Sequence, residues 1–148
     1  ATTEARIVGA NLFELKRRNK GVVGTFATII EDLGLGMAGL TESEARKAGF
    51  DVVIGEAAAP DKHPGAMPGA KEIGMKLVFE KASGEILGGQ IYGGSTVGEV
   101  VNILATLIQN RMKADEIVTF QLGTQPAFTP SPIVYPLISA AEAAAVKL

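Results

Sequence analysis

The 148-residue sequence predicts an α+β fold, a five-stranded, mainly antiparallel sheet with helices packed on it. Three observations carry this. Ile73, Met75, Leu77 and Phe79 alternate with Gly74, Lys76, Val78 and Glu80, the period of a strand with one strongly apolar face. A second strand-like run, 85–93, follows after Ala82, Ser83 and Gly84, a spacing and chemistry suited to a hairpin. Beyond it, Val97, Val100, Val101, Leu104 and Ile108 form a helical stripe that Ile103 and Leu107 widen, so this helix must be covered on more than one side.

In chain order, Ile7, Val8, Leu12 and Leu15 fall at helical spacing and predict a helix over 2–18, with Glu4 near its start and Lys16, Arg17 and Arg18 near its end, as the helix dipole favours. Asn19, Lys20 and Gly21 stop it. Two short strands are expected at 22–30 and 33–40, turning at Glu31 and Asp32. Thr41 and Glu44 have the spacing of a capping box, so a short helix over 42–48 should end at Gly49. A third strand, 50–59, leaves at Pro60 into a loop carrying Asp61, Lys62, His63, Pro64, Gly65, Pro68 and Gly69, which the prolines and glycines keep irregular. After the 72–81 and 85–93 pair, Ser95 or Thr96 is placed to cap a helix running to about 112. A helical turn follows over 115–120, then an irregular, proline-rich stretch over 121–132. An alanine-rich helix over 133–146, with Pro136 near its first turn, closes the chain.

Composition excludes several classes of chemistry. With no cysteine there is no disulfide, thiol nucleophile or thiolate-held metal on this chain, and one histidine cannot make a two-histidine site, so no metal site is expected. A net charge of −2 gives no global field for nucleic acid or an anionic membrane. No apolar run nears the roughly 20 residues of a membrane span, and no signal-peptide pattern opens the chain, which points to a cytoplasmic protein.

Few residues invite a chemical reading. His63 alone titrates near neutrality in its unperturbed state, and it lies in a stiff loop, where functional side chains concentrate; a loop-stabilising surface histidine is the plainer alternative. The run 89–96 (Gly-Gln-Ile-Tyr-Gly-Gly-Ser-Thr) resembles glycine-rich approaches to a phosphate, but it lacks both the Gly-x-Gly-x-x-Gly spacing and a P-loop lysine, so a tight turn explains it. Lys16, Arg17, Arg18 and Lys20 have no interleaved aromatics for base stacking and read as a solvated helix end. The segment 123–132 (Gly-Thr-Gln-Pro-Ala-Phe-Thr-Pro-Ser-Pro) is stiffer than a connector needs, so it either holds a shape for a partner or ligand or forms a rigid buried crossover. A small domain with broad apolar helix faces, two stiff loops and no catalytic constellation is better suited to an interface than to a whole enzyme.

The order of motifs is specific. Gly39-Leu40-Thr41-Glu42-Ser43-Glu44-Ala45, a Gly/Pro loop, Ser83-Gly84-Glu85-Ile86-Leu87-Gly88-Gly89 through Tyr92-Gly93, a long helix and the Gln125-Pro126 loop together resemble the C-terminal dimerisation domain of FAD-dependent pyridine nucleotide-disulfide oxidoreductases. The likeness covers about 21–148 and is greatest to the NADH oxidase and coenzyme A-disulfide reductase branch. His63-Pro64-Gly65-Ala66-Met67-Pro68-Gly69-Ala70 resembles that branch's His-Ala-Gly-Tyr-Tyr-Pro-Gly-Ala loop, and Ala127-Phe128-Thr129-Pro130-Ser131 its Ala-Tyr-Ala-Pro-Pro. Thr3 to Asn11 resembles the last helix of the family's FAD-binding domain, so 1–20 is expected to be a remnant of that domain and 21–148 the dimerisation domain.

The resemblance implies a homodimer in which this domain joins the FAD and NAD domains of the same polypeptide, with FAD and NAD(P)H as cofactors of the full-length protein and none held by this chain alone. It implies that Thr124, Gln125, Pro126, Phe128 and Thr129 face the partner's flavin and that His63, Met67 and Lys71 border the substrate. No catalytic residue is assigned to this chain, which alone is not expected to be active. Lipoamide and glutathione reductases carry a histidine and, five residues later, a glutamate where Gln125 and Pro130 stand, and an amide and a proline cannot shuttle protons. The coenzyme A-disulfide reductase tyrosines are replaced by Ala66 or Met67 and by Phe128. These departures favour NADH oxidation with oxygen or another acceptor over disulfide reduction. Two alternatives are a stand-alone self-association module without redox activity and a binder of coenzyme A-type phosphates through His63 and Lys71.

Overall fold

The apolar alternation at 72–93 lies at the centre of the sheet. In the computed structural model, which describes residues 2–148, β4 (Glu72–Glu80) pairs antiparallel with β5 (Ile86–Gly93). With β1 (Thr25–Ile30), β2 (Leu33–Gly39) and β3 (Val52–Pro60) they form one sheet in the order β1-β2-β5-β4-β3, every neighbouring pair antiparallel. The register sets Met75 opposite Ile91, Leu77 opposite Gly89 and Val53 opposite Phe79, so the apolar residues of β4 share one face with alternate positions of its neighbours.

That face is covered by α3 (Val97–Gln109), α4 (Ala114–Val118) and α5 (Pro136–Ala145). Ile73, Met75, Leu77, Phe79 and Ile91 from the sheet pack with Val97, Val101, Leu104 and Leu107 of α3 and with Leu137, Ala140, Ala141 and Ala144 of α5 in one buried cluster. The wide α3 stripe is thus buried at its centre, while Ile103 at its margin stays exposed. On the opposite face α2 (Glu42–Lys47) seats Ala45 on Val52 and Val78. The rest of that face is open, a groove of about 930 Å³ floored by Phe26, Leu35, Met37 and Tyr92 among others.

The capping box forms as the spacing predicts. Thr41 Oγ1 accepts from the Glu44 N–H at 3.2 Å, the Glu44 carboxylate accepts from the Thr41 N–H at 2.8 Å, and Gly49 leaves the helix at φ +91°, open to glycine at little cost. Elsewhere boundaries differ. The first helix, α1, spans only Thr2–Ala10, because the Asn11 carboxamide turns the chain back: its Oδ1 accepts from the N–H groups of Lys16 and Arg17 and its Nδ2 donates to the Arg17 carbonyl. Leu12 and Leu15 therefore lie in an exposed loop, and strand β1 begins at Thr25 rather than 22. Thr96 sits in αR geometry at the start of α3 and makes no side-chain cap; the first turn is closed by backbone bonds to the Gly94, Ser95 and Thr96 carbonyls. The final helix starts at Pro136, not 133, after a separate 3₁₀ turn, Pro132–Val134.

Surface charges are organised around the cap. Lys76 Nζ lies 2.8 Å from Glu42 and 3.3 Å from Glu56, and the Lys76 contact, then Arg46, holds the Glu42 carboxyl below its ordinary range. Bonds from the Thr41 backbone and hydroxyl lower Glu44, and Lys71 lowers Asp32. A carboxyl depressed in the folded state contributes stability that is complete above its unfolded pKa and is lost as pH falls through the folded value. Urea unfolding midpoints are therefore expected to be level above the ordinary carboxylate range and to drop below it. Thr41→Ala should lose about 1 kcal/mol at neutral pH and flatten the acid limb, and an unchanged limb in the variant would contradict the assignment.

Candidate functional site

The two proline-stiffened loops come together. The backbone N–H of His63 donates to the Pro126 carbonyl at 2.9 Å, joining the loop after β3 to the loop before α5. The first loop is closed at its base by a reciprocal pair, Asp61 N–H to the Lys71 carbonyl at 2.8 Å and Lys71 N–H to Asp61 Oδ1 at 2.8 Å. Within it Met67 and Ala70 donate to the Pro64 and Met67 carbonyls, and Lys62 Nζ reaches the Pro68 carbonyl at 3.1 Å. The His63–Pro64 bond is cis. His63 is exposed at the rim and Met67 is half-buried. Lys71 Nζ is held by the Asp32 carboxylate and carbonyl in the β1–β2 turn, so any phosphate there must compete with an ion pair.

The second loop is organised by Gln125 and Thr129. Gln125 N–H donates to Thr129 Oγ1 at 3.0 Å, while the Gln125 carbonyl accepts from the N–H groups of Phe128 and Thr129, both at 2.9 Å. Gln125 Oε1 accepts from the Ala127 N–H at 2.7 Å. Because the carboxamide oxygen is tied to its own loop, the NH₂ is left as a donor with no acceptor beside it among the described residues. Thr124 and Phe128 are exposed, and the stretch 123–131 carries no ionisable side chain. The second loop thus offers a neutral, partly aromatic surface with one amide donor, and His63 of the first loop lies at its edge. It can recognise and position, but the second loop has no group able to give or take a proton.

Other sequence features lie elsewhere. Lys16 pairs with Glu14 at 3.5 Å, and Lys20 reaches Asn110 just past α3, so the basic cluster is spread over an exposed arm. In the glycine-rich run before α3, Tyr92 donates from its hydroxyl to Glu72 at 2.6 Å, a bond that pushes the phenol pKa up. Sequence reasoning passed over a recess of about 210 Å³ behind Phe128, between β4, the start of α3 and the start of α5. Nothing in the sequence marked it, since an acidic residue such as Glu99 is ordinary in the first turn of a helix. Among the described residues no group of three His, Asp or Glu side chains could hold a metal, and no helix is long and apolar enough to cross a membrane.

Comparison with known proteins places the sequence and the fold in a family. The family described as pyridine nucleotide-disulphide oxidoreductase, dimerisation domain, matches residues 25–132. An NADH oxidase of Methanocaldococcus jannaschii is 31% identical over 148 residues, covering 100% of this chain and 32% of that protein. An NADH oxidase of Enterococcus faecalis is 30% identical over 130 residues, covering 86% of this chain and 28% of that protein. Among solved structures, the water-forming NADH oxidase from Lactobacillus brevis superposes with a TM-score of 0.82 at 27% identity, over 95% of this chain and 30% of that one. A NAD-dependent persulfide reductase from A. fulgidus gives 0.77 at 31% identity, over 86% of this chain and 23% of that one. The chain spans about a third or less of each of these relatives. It belongs to the dimerisation-domain family of the pyridine nucleotide-disulphide oxidoreductases, the FAD- and NAD(P)H-dependent flavoproteins that include the NADH oxidases.

Proposed function

We propose that these residues form the dimerisation part of an FAD-dependent NAD(P)H oxidoreductase of the NADH oxidase type, in which residues 124–129 of one subunit line the flavin site of its partner and His63 and Met67 border the entering acceptor. The observation that carries this is the joining of the two loops at His63 N–H and the Pro126 carbonyl, which makes one preformed surface of two distant segments. That surface fits the group it would meet. An isoalloxazine edge is neutral, flat and rich in carbonyl acceptors, and the loops offer a fixed amide donor, an exposed phenyl ring and no charge in 123–131. FAD, when bound, relays electron pairs from the nicotinamide to the acceptor. This chain's residues would exclude water and orient the acceptor, and protons would come from solvent or from the remainder of the protein, since Gln125 and Pro130 can supply none.

The uncovered apolar surfaces support the same reading. α1 buries none of its residues, and Val8, Leu12, Phe13 and Leu15 are all more than 60% exposed. The open sheet face exposes Phe26, Ile30 and Leu33 as well. Exposed apolar area on this scale marks contact surfaces, and two such surfaces suit a second subunit and the nucleotide-binding domains, with residues 1–20 belonging to the body that α1 would join. Visible absorbance of the product of the whole gene, with NADH oxidation measured on the same sample, tests the proposal. Bound flavin with turnover is expected, and a colourless product would reject it in favour of a self-association module.

A further inference from the structure

The two edges of the sheet are finished differently. β3 and β1 each bond a neighbouring strand on one side only. Along β3 the Asp51 carbonyl accepts from the Lys81 N–H, so antiparallel alternation turns the backbone groups of Ile54 and Pro60 outward. Both positions are blunted: the Lys147 ammonium donates to the Ile54 carbonyl at 2.8 Å, and proline has no N–H to offer a further strand. Along β1 the Gly24 carbonyl accepts from the Gly39 N–H, which gives the backbone of Phe26, Thr28 and Ile30 to β2 and turns that of Thr25, Ala27 and Ile29 outward. Nothing among the described residues bonds those three outward amides. The run 21–30 carries neither charge nor proline, and Phe26, Ile29 and Ile30 along the edge are exposed. Such an edge is a template for another strand.

We propose that β1 is where a second copy of this chain joins the sheet, β1 against β1 antiparallel about a two-fold axis at Ala27, so that two five-stranded sheets become one. The outward groups fix this register. Ala27 faces its own copy, Thr25 faces Ile29 of the other copy, and each pair exchanges both backbone hydrogen bonds. Self-pairing also matches charge. Antiparallel strands bring the end of one beside the start of the other, which carries the Glu31 carboxylate of each copy toward Arg18 and Lys20 of the other, while no charge stands opposite its like within 21–30. Lys20 reaches only the neutral Asn110 within its own chain. Because β3 is blunted, each copy has one edge to give and assembly stops at two. The inference rests on the homodimer within the proposed function and on no cofactor.

Sedimentation and amide hydrogen exchange on the 148-residue chain test this. A reversible dimer is expected at micromolar concentration, with exchange at Thr25, Ala27 and Ile29 slowing as the concentration rises. Ala27→Pro removes an outward N–H and spares the β1–β2 ladder, so its circular dichroism should match the parent while its dimer is weakened by about tenfold or more. Ala27→Lys sets two like charges on the axis, and its dimer should be weak in low salt and recover in high salt, a response that misfolding would not give. A parent chain that stays monomeric up to millimolar concentration overturns the proposal. So does a dimer that both variants leave intact, which would use another surface, and so does protection of the three amides that is independent of concentration, which would mark a segment of the same chain as the occupant. Flavin absorbance of the whole gene product is a separate readout, so a failure of the edge and a failure of the oxidoreductase reading are told apart.

Discussion

Gly55→Ala is expected to destabilise the chain by at least about 3 kcal/mol, a loss of roughly 6–12 °C in the thermal midpoint. Gly55 lies on β3 opposite Leu77, on the face that carries α5. A Cβ there would stand 1.8 Å from the Ala140 carbonyl oxygen and 2.8 Å from its carbon, about half an ordinary contact distance of ~3.5 Å for the nearer atom. The obstacle is helix backbone, which no rotamer change can move. Either α5 lifts, opening the seal that Ala140, Ala141 and Ala144 make at 0% exposure, or β3 shifts against β4 and disturbs the ladder. Alanine recovers about 0.5–1 kcal/mol through a less flexible unfolded chain, too little to compensate. Gly98→Ala is the matched control. That glycine lies in α3 with nothing within 4 Å of its Cβ position, so alanine should stabilise by about 0.5–1 kcal/mol. Thermal melts of the two variants should move in opposite directions, and a Gly55→Ala midpoint within a degree of the parent would refute the close-approach account.

The same pair of glycines shows what sequence conveys and what it does not. Strand period and turn chemistry are local properties, so 72–81 is readable from its alternation, 85–93 from the turn at Ala82, Ser83 and Gly84, and the cap at Thr41 from two residues three apart. The alanines of α5 signalled a helix, but not that its backbone would rest on Gly55; that contact joins segments far apart in the chain. Where an expectation failed, a competing hydrogen bond decided it. Leu12 and Leu15 keep helical spacing with Ile7 and Val8, yet the Asn11 carboxamide binds the Lys16 and Arg17 amides and ends α1 early. Thr96 has the right residue type for a cap, but its αR backbone already belongs to the first turn, where the hydroxyl does not reach the free amides. The site divides likewise. Prolines and glycines marked both loops as stiff, whereas their union at His63 and Pro126, and the convergence of Asp61, Glu99 and Tyr135 on one recess, arise from packing that no periodicity encodes.

Thr129→Val should be the most damaging conservative change in the candidate site, because it removes the atom around which the second loop is built. Thr129 Oγ1 accepts the Gln125 N–H at 3.0 Å and lies 3.2 Å from the Gln125 carbonyl and 3.1 Å from that of Pro130. Valine keeps the branched shape but accepts nothing, so the Gln125 amide must turn to solvent and the carboxamide loses its fixed direction. The stability cost is that of one modest hydrogen bond, about 1 kcal/mol. The functional cost is larger if residues 124–129 line the partner's flavin site, since displacing a positioning group by about 1 Å can lower turnover on the order of 10²-fold. In the full-length dimer, the expected result is therefore a thermal midpoint close to the parent, unchanged flavin content and a turnover number reduced about a hundredfold. Thr129→Ser, which restores the acceptor without the methyl group, should return most of that turnover. Serine and valine variants that turn over equally would show that the hydroxyl does not set the loop. Parental turnover in Thr129→Val would remove the loop from the site.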